Sequence, residues 1–329
     1  MMHIEAAFKA LADPTRVRIL RLLSKMELSV GELAQVLEQS QPRVSRHVGI
    51  LCEAGLSERR REGSWVFLHM PRSLHSDCFL HSMSQMLAIA EHEDRLFADQ
   101  CQADRQKLAD IRSSREKLAQ AYFERHARDW DELRKRHSSD QKVESALIEA
   151  LGSEDLGDLL DIGTGTGRIA QLLADQSNSV VAFDKSLEML KLARARLHHL
   201  PAEKTEIVCG DFNDLPFEQA NFDTVVLHQV LHFAQDPELV LEQAARVTRP
   251  KGRIVIVDFA AHSHEEFRDL YAHSRLGFYD HQIEQIFNFV GFTYLPPIEL
   301  EGKELVVKIW IGKRENYQFK EKKQRFAKI

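Results

Sequence analysis

The chain has 329 residues, 43% of them apolar and 29% charged, and a net charge of −6. That length exceeds one ordinary core and predicts two or three compact units, and the balance is that of a globular protein. No apolar stretch approaches bilayer-spanning length, the opening Met1-Met2-His3-Ile4-Glu5 lacks a signal peptide's layout, and Cys52, Cys78, Cys101 and Cys209 form no Cys-x-x-Cys pair; these features argue against a membrane protein, a disulfide framework and a zinc knuckle, and predict a cytoplasmic protein with reduced thiols.

Charge is unevenly spread. Residues 1–72 hold 11 Lys and Arg against 8 Asp and Glu, a balance of +3; the remaining 33 against 42 give −9. A mildly positive module joined to an acidic one fits local DNA contact better than a general basic coat.

Apolar residues at helical spacing run from Ile4 to Asp13-Pro14, where proline disfavours helix for its predecessor and suits a new helix start. Val17, Ile19, Leu20, Leu22 and Leu23 continue as a second helix. Ser29 is placed to cap residues 30–37, with Glu32 at the capping-box position, and Ser40 to cap residues 41–54, which stop at Gly55. Two short helices joined by a tight turn form a helix-turn-helix, and residues 57–61 and 65–69 pair as a wing across Glu62-Gly63-Ser64.

After Pro71 no glycine or proline interrupts the chain to His137, so long helices are expected. Phe79, Met83, Met86, Leu87, Ala90 and Phe97 form a stripe that suits either a dimerisation surface or a helix packed on its own core. Past Ala98 charge dominates and Leu108, Ile111 and Leu118 are sparse anchors, the pattern of a solvated helical linker.

From Leu156 strands and helices alternate. Apolar runs at 159–162, 180–183, 207–208, 224–227 and 254–257 are separated by helical patterns, which predicts a parallel sheet covered on both faces. A helix near 281–289 and two antiparallel strands, near 292–300 and 305–311, close the fold. The tail past Lys313 is polar and basic and expected to be mobile.

The run Leu159-Leu160-Asp161-Ile162-Gly163-Thr164-Gly165-Thr166-Gly167 places glycine at every second position between a strand and a helix. Such a loop turns sharply, lets a ligand approach the backbone and presents helix N–H groups to it. The dinucleotide pattern G-x-G-x-x-G would need glycine at 168, where Arg168 stands.

The order Asp-x-Gly-x-Gly-x-Gly resembles class I S-adenosylmethionine-dependent methyltransferases, over about residues 118–313. The resemblance implies a Rossmann-like domain with a mixed seven-stranded sheet and S-adenosylmethionine or S-adenosylhomocysteine as its cofactor. It assigns Asp161, Gly163, Thr164, Gly165 and Gly167 to the cofactor loop and Asp184, 23 residues beyond Asp161, to the ribose hydroxyls. Lys185 and Met189 fall beside the adenine; in Cys209-Gly210-Asp211-Phe212, Asp211 would accept from the adenine amino group and Phe212 would pack on the ring, with His228 completing the set.

In the stretch 221–232, His228 and His232 are candidate catalytic bases toward a methyl acceptor that Gln229 would orient, or they cap a helix and fill a lid. Arg249-Pro250-Lys251-Gly252-Arg253 resembles the turn before the fifth strand, with Lys251 where a second glycine is usual. Tyr122-Phe123-Glu124-Arg125-His126 and Trp130 resemble a lid over the cofactor, or are an ordinary amphipathic helix.

Upstream, Leu11-Ala12-Asp13-Pro14-Thr15-Arg16, residues 40–47 and Glu53-Ala54-Gly55-Leu56 resemble ArsR-type winged-helix regulators, over about residues 4–71. That resemblance puts Ser40, Gln41, Arg43, Ser45, Arg46 and His47 at the major groove and Arg59, Arg60, Arg61 and Ser64 at the phosphates of a double-stranded operator, read by a homodimer. No metal site is expected, because residues 30–37 hold no cysteine and His75, Asp77, Cys78, His81 and His92 are not at ligand spacing.

The chain thus divides into a winged helix-turn-helix at 1–72, a helical dimerisation or linker segment at 73–117, a methyltransferase-like domain at 118–313 and a basic tail at 314–329. Two functions fit: a transcriptional regulator that senses the cofactor at methionine or methyl-cycle genes, or a working small-molecule methyltransferase carrying a regulatory domain.

Overall fold

The computed structural model describes residues 4–24, 26–62, 65–71, 78–127, 130, 140–152, 155–302 and 304–315. Ser64, His75, Asp77 and residues 316–329 of the tail lie outside the described residues. The chain separates into two compact units, Met1–Ala119 with Ser263–Glu265, and Gln120–His262 with Glu266–Ile329.

The first unit begins with α1 (Ile4–Leu11) and α2 (Pro14–Leu23). Their junction is built from both sides. Asp13 accepts the Arg16 backbone N–H at 3.1 Å and Pro14 opens α2, while the Arg16 guanidinium donates to the Lys9 and Ala10 carbonyls in the last turn of α1. β1 (Leu28–Ser29) leads into α3 (Val30–Leu37), where Ser29 and Glu32 form the expected capping box. α4 (Gln41–Glu53) follows, with Val44, Val48 and Leu51 turned into the core.

The wing pairs β2 (Glu58–Glu62) antiparallel with β3 (Trp65–His69), and β1 adds to the other edge of β3, a two-residue strand too short to leave a pattern in the sequence. Next come α5 (Cys78–Glu93) and α6 (Arg95–His126), separated at Asp94, whose carboxylate accepts the Phe97 N–H at 3.1 Å. Met83 and Leu87 of the α5 stripe are buried in the unit's own core, whereas Met86 and Ile89 point outward.

α6 departs from the solvated linker expected of it. Cys101, Asp104 and Leu108 are buried, and Arg18 of α2 clamps Asp104 through two hydrogen bonds of 2.7 and 2.6 Å. One member of this stripe is a carboxylate neutralised by a distant arginine, so counting apolar residues misses it.

The second unit opens with α7 (Asp140–Leu151) and alternates strand and helix: β4 (Asp158–Ile162), α8 (Arg168–Leu173), β5 (Ser179–Asp184), α9 (Leu187–Leu197), β6 (Thr205–Cys209), β7 (Phe222–His228), α10 (Pro237–Val247) and β8 (Thr248–Phe259). After α11 (Glu266–Tyr271) and α12 (Asp280–Phe289) come β9 (Thr293–Tyr294), β10 (Ile298–Glu301) and β11 (Val306–Lys313). The sheet runs β10-β11-β8-β7-β4-β5-β6, parallel from β8 to β6 and antiparallel where β11 joins β8 and β10.

It has eight strands, not the seven expected, because β9 also pairs with β11. Residues 292–300, read as one strand, split at Pro296-Pro297, which lack the N–H groups a ladder needs. Apolar clusters fill both faces of the sheet.

Candidate functional site

The order of strands reverses between β4 and β7: β5 and β6 lie to one side of β4, and β7 and β8 to the other. A ligand crevice opens at such a switch point, beyond the carboxyl ends of the strands. The glycine loop leaves β4 there. Gly163 and Thr164 both donate to the Phe183 carbonyl, at 2.8 and 3.0 Å, and buried Asp161 accepts the Thr164 hydroxyl at 2.6 Å, so these residues brace the loop.

Gly163, Gly165 and Gly167 all have positive φ, of 72°, 55° and 80°. A Cβ at Gly163 would clash with Val230, and one at Gly167 would press on Ala193 at 3.1 Å. Above Gly165 the space is open except for the Trp130 indole nitrogen at 3.8 Å, which makes Gly165 the position where a ligand approaches backbone.

Asp184 ends β5 and faces this opening. One of its oxygens accepts the Gly165 N–H and the other the Ser186 N–H, both at 2.8 Å, and with the Lys185 N–H donating as well the carboxylate keeps acceptor capacity for a ribose hydroxyl. Burial pushes its carboxyl above the usual range, against the donations from Ser186, Gly165 and Lys185. Asp211 differs. Lys185 Nζ reaches one of its oxygens at 2.8 Å, and the Asn213 backbone and side chain reach the other at 2.9 and 2.8 Å. Burial alone would raise Asp211; these donors outweigh it and hold the group below its ordinary value. An adenine amino group would therefore share Asp211 with Lys185.

Met189 is buried in α9 and Phe212 packs half-buried on the core beside the loop. Of the expected lid, Phe123 and Trp130 meet edge to face at 5.3 Å, and Phe123 meets Phe233 at 4.8 Å, so an aromatic cluster stands over the Gly165 opening. The donor chemistry fits S-adenosylmethionine: Asp184 for the ribose, the half-buried Phe212 ring for the adenine, and a Gly165 with room for a ligand.

On the acceptor side, His228 ends β7 and His232 sits in a 3-10 turn just beyond; both are buried. His232 pairs with Asp258, a residue that motif reasoning missed. Its available signal was a carboxylate closing a buried strand, the same feature that marks Asp184. Among the described residues, no group of three or more His, Cys, Asp or Glu is arranged to hold a metal ion.

In the first unit, Gln41, Arg43, Ser45 and Arg46 are exposed on α4. His47 is not with them: its ring is largely covered and lies 3.7 Å from Asp13. Ser40 occupies the cap position, but its side chain makes no capping hydrogen bond among the described residues. The three wing arginines alternate, as a strand requires. Arg59 and Arg61 are exposed; Arg60, expected at the phosphates with them, faces the other way, bonded to both oxygens of Glu27 at 3.0 and 3.1 Å and lying over Phe67.

Residues 160–256 match the family model described as a methyltransferase domain, and residues 13–57 match the one described as bacterial regulatory protein, arsR family. The demethylmenaquinone methyltransferase of Renibacterium salmoninarum is 32% identical over 125 residues, 38% of this chain and 51% of that protein. That of Streptomyces griseus is 34% identical over 126 residues, 38% of this chain and 53% of that protein. The chain thus spans about half the length of the curated relatives it matches. Among solved structures, a SAM-dependent methyltransferase from Aquifex aeolicus aligns with a TM-score of 0.44 at 17% identity, over 55% of this chain and 97% of that one. The cofactor of the matched domain is S-adenosylmethionine or, after transfer, S-adenosylhomocysteine. The chain is a fusion of an arsR-family helix-turn-helix to a methyltransferase domain.

Proposed function

We propose that the chain is a cytoplasmic, homodimeric transcriptional regulator in which S-adenosylmethionine or S-adenosylhomocysteine, bound at the glycine loop, changes the affinity of the helix-turn-helix for an operator at methionine or methyl-cycle genes. The observation that carries this reading is the presence, in one chain, of exposed Gln41, Arg43, Ser45 and Arg46 on α4 and of a glycine loop closed by Asp184. A dimer is supported by large apolar side chains left on the surface of the first unit: Ile4 and Phe8 on α1 are 61% and 56% exposed, and Met86 and Ile89 on α5 are 48% and 58% exposed. Winged-helix readers of this kind bind paired half-sites, which requires two copies.

Control by ligand needs unequal cofactor affinity in the DNA-bound and DNA-free states, typically about 1–3 kcal/mol or roughly 5- to 150-fold. The test is fluorescence anisotropy of a duplex selected in vitro from random sequence, titrated with and without saturating S-adenosylhomocysteine. A shift of about fivefold or more is expected; equal affinities with ligand bound contradict the proposal.

A second reading, a working methyltransferase, is favoured by the His232–Asp258 pair at the strand ends and by the names of the relatives, demethylmenaquinone methyltransferases. The two readings are compatible.

A further inference from the structure

Beyond the carboxyl ends of β7 and β8, on the far side of β4 from Asp184, lies a group of side chains that cofactor binding does not use. His232 Nδ1 is 2.7 Å from Asp258 Oδ1. A carboxylate can only accept, so Nδ1 carries a hydrogen, and the neutral ring presents its lone pair at Nε2. The same carboxylate accepts the backbone N–H groups of His232 and Phe259, at 3.2 and 2.8 Å, and the His232 carbonyl accepts from Ser274 and Arg275 at 3.0 and 2.9 Å. The imidazole is therefore fixed in place and in tautomer. With 2% of His232 and none of Asp258 exposed, bulk water does not compete for the pair.

The surroundings are aromatic. Ring centres of Phe233, Phe259 and His273 lie 4.0, 5.0 and 4.1 Å from His232, and Phe267 lies 5.3 Å from His273. Flat faces of this kind suit a planar ligand. The charged and titratable neighbours include Asp258, committed to the His232 ring, the His273 and His262 imidazoles, the Tyr271 phenol, Arg268, whose guanidinium donates to the Ser274 carbonyl, and Arg275, whose guanidinium donates to the Gln235 carbonyl. That balance favours a ligand that becomes an anion over an ammonium.

We infer that this cluster is the acceptor site, taking a planar, weakly acidic hydroxyl compound of the phenol or enol class, with His232 Nε2 as its proton acceptor and Asp258 as the positioning residue. The inference rests on the reading that the glycine loop holds the methyl donor. In transfer, the acceptor's O–H bond breaks and its proton passes to His232 Nε2. The oxygen's pair forms the new O–C bond while the methyl–sulfur bond breaks and its pair stays on sulfur.

The test uses full-length protein saturated with S-adenosylhomocysteine and 4-nitrophenol as the probe, at a pH about one unit below the phenol's own pKa, and reads the phenolate absorbance of the bound form. Wild type is expected to bind the probe mainly as phenolate. His232→Gln is expected to return the band to its solution level and to weaken binding about tenfold, and Asp258→Asn to lower the phenolate fraction roughly threefold. Calorimetry should show S-adenosylhomocysteine affinity unchanged in both variants, which a merely structural role would not allow alongside a lost band. Wild type that fails to bind the probe, or binds it without a phenolate shift, overturns the inference whether or not the variants fold, as does a His232→Gln protein that keeps the shift. If S-adenosylhomocysteine binds but no phenolate appears, the acceptor site alone fails; if S-adenosylhomocysteine does not bind, both readings fail.

Discussion

Gly163 and Gly165 share a left-handed backbone but meet different surroundings, so alanine has a different consequence at each. Gly163→Ala drives a methyl into Val230 and is expected to cost more than about 2 kcal/mol of stability, read by urea denaturation. Gly165→Ala meets only Trp130, so its expected cost is about 1 kcal/mol of backbone strain, with a loss of S-adenosylhomocysteine affinity of tenfold or more by calorimetry. Asp184→Ala should lose that affinity while the fold survives. Lys251 stands at φ 66° in the turn of β8, where side chains rarely sit, and Lys251→Gly is expected to stabilise the second unit by about 0.5–1 kcal/mol. That strain was readable as a missing glycine. Asp184 was picked out by the family resemblance, as the carboxylate ending an apolar strand, yet Asp258 also closes a strand and went unread because no local motif surrounds it. Its partner His232 is 26 residues away, and only the pairing of β7 with β8 brings the two together.

The wing and the α2–α5–α6 packing show what elements add to residues. A run of three arginines cannot be sorted from its letters, but strand alternation sends Arg60 to Glu27 and leaves Arg59 and Arg61 outside. Arg59→Ala and Arg61→Ala are each expected to lower the salt slope of operator binding by about one, and Arg60→Ala to leave that slope unchanged while reducing stability. Glu91 of α5 is bonded by Arg105 and Arg21 at 2.6 and 2.5 Å; burial would raise its carboxyl, but the two guanidinium groups outweigh it and hold it below its ordinary 4.5. A depressed carboxyl contributes stability above its unfolded value and loses it as pH falls through the folded one. Unfolding monitored on acidification should therefore show the first unit weakening below pH 4.5, with a shallower loss in Glu91→Gln. The helix-turn-helix and the alternation of β4 to β8 were legible because capping and apolar periodicity are local. The burial of α6 and the split at Pro296-Pro297 depended on a distant arginine and on the ladder partner of each strand.

At the scale of the whole molecule, the chain carries an arsR-family helix-turn-helix and a methyltransferase domain, and the proposed function is that the two share free energy. Linkage makes the coupling reciprocal: whatever factor the cofactor applies to operator affinity, the operator must apply to cofactor affinity. The most direct measurement is therefore calorimetric titration of S-adenosylhomocysteine into the free protein and into the protein saturated with its selected duplex. Dissociation constants differing by about fivefold or more, matching the anisotropy shift and lost together in Asp184→Ala, are the predicted result. Equal constants in the two states would contradict the sensor, leaving a DNA-binding module and a methyltransferase domain that share a chain without sharing free energy.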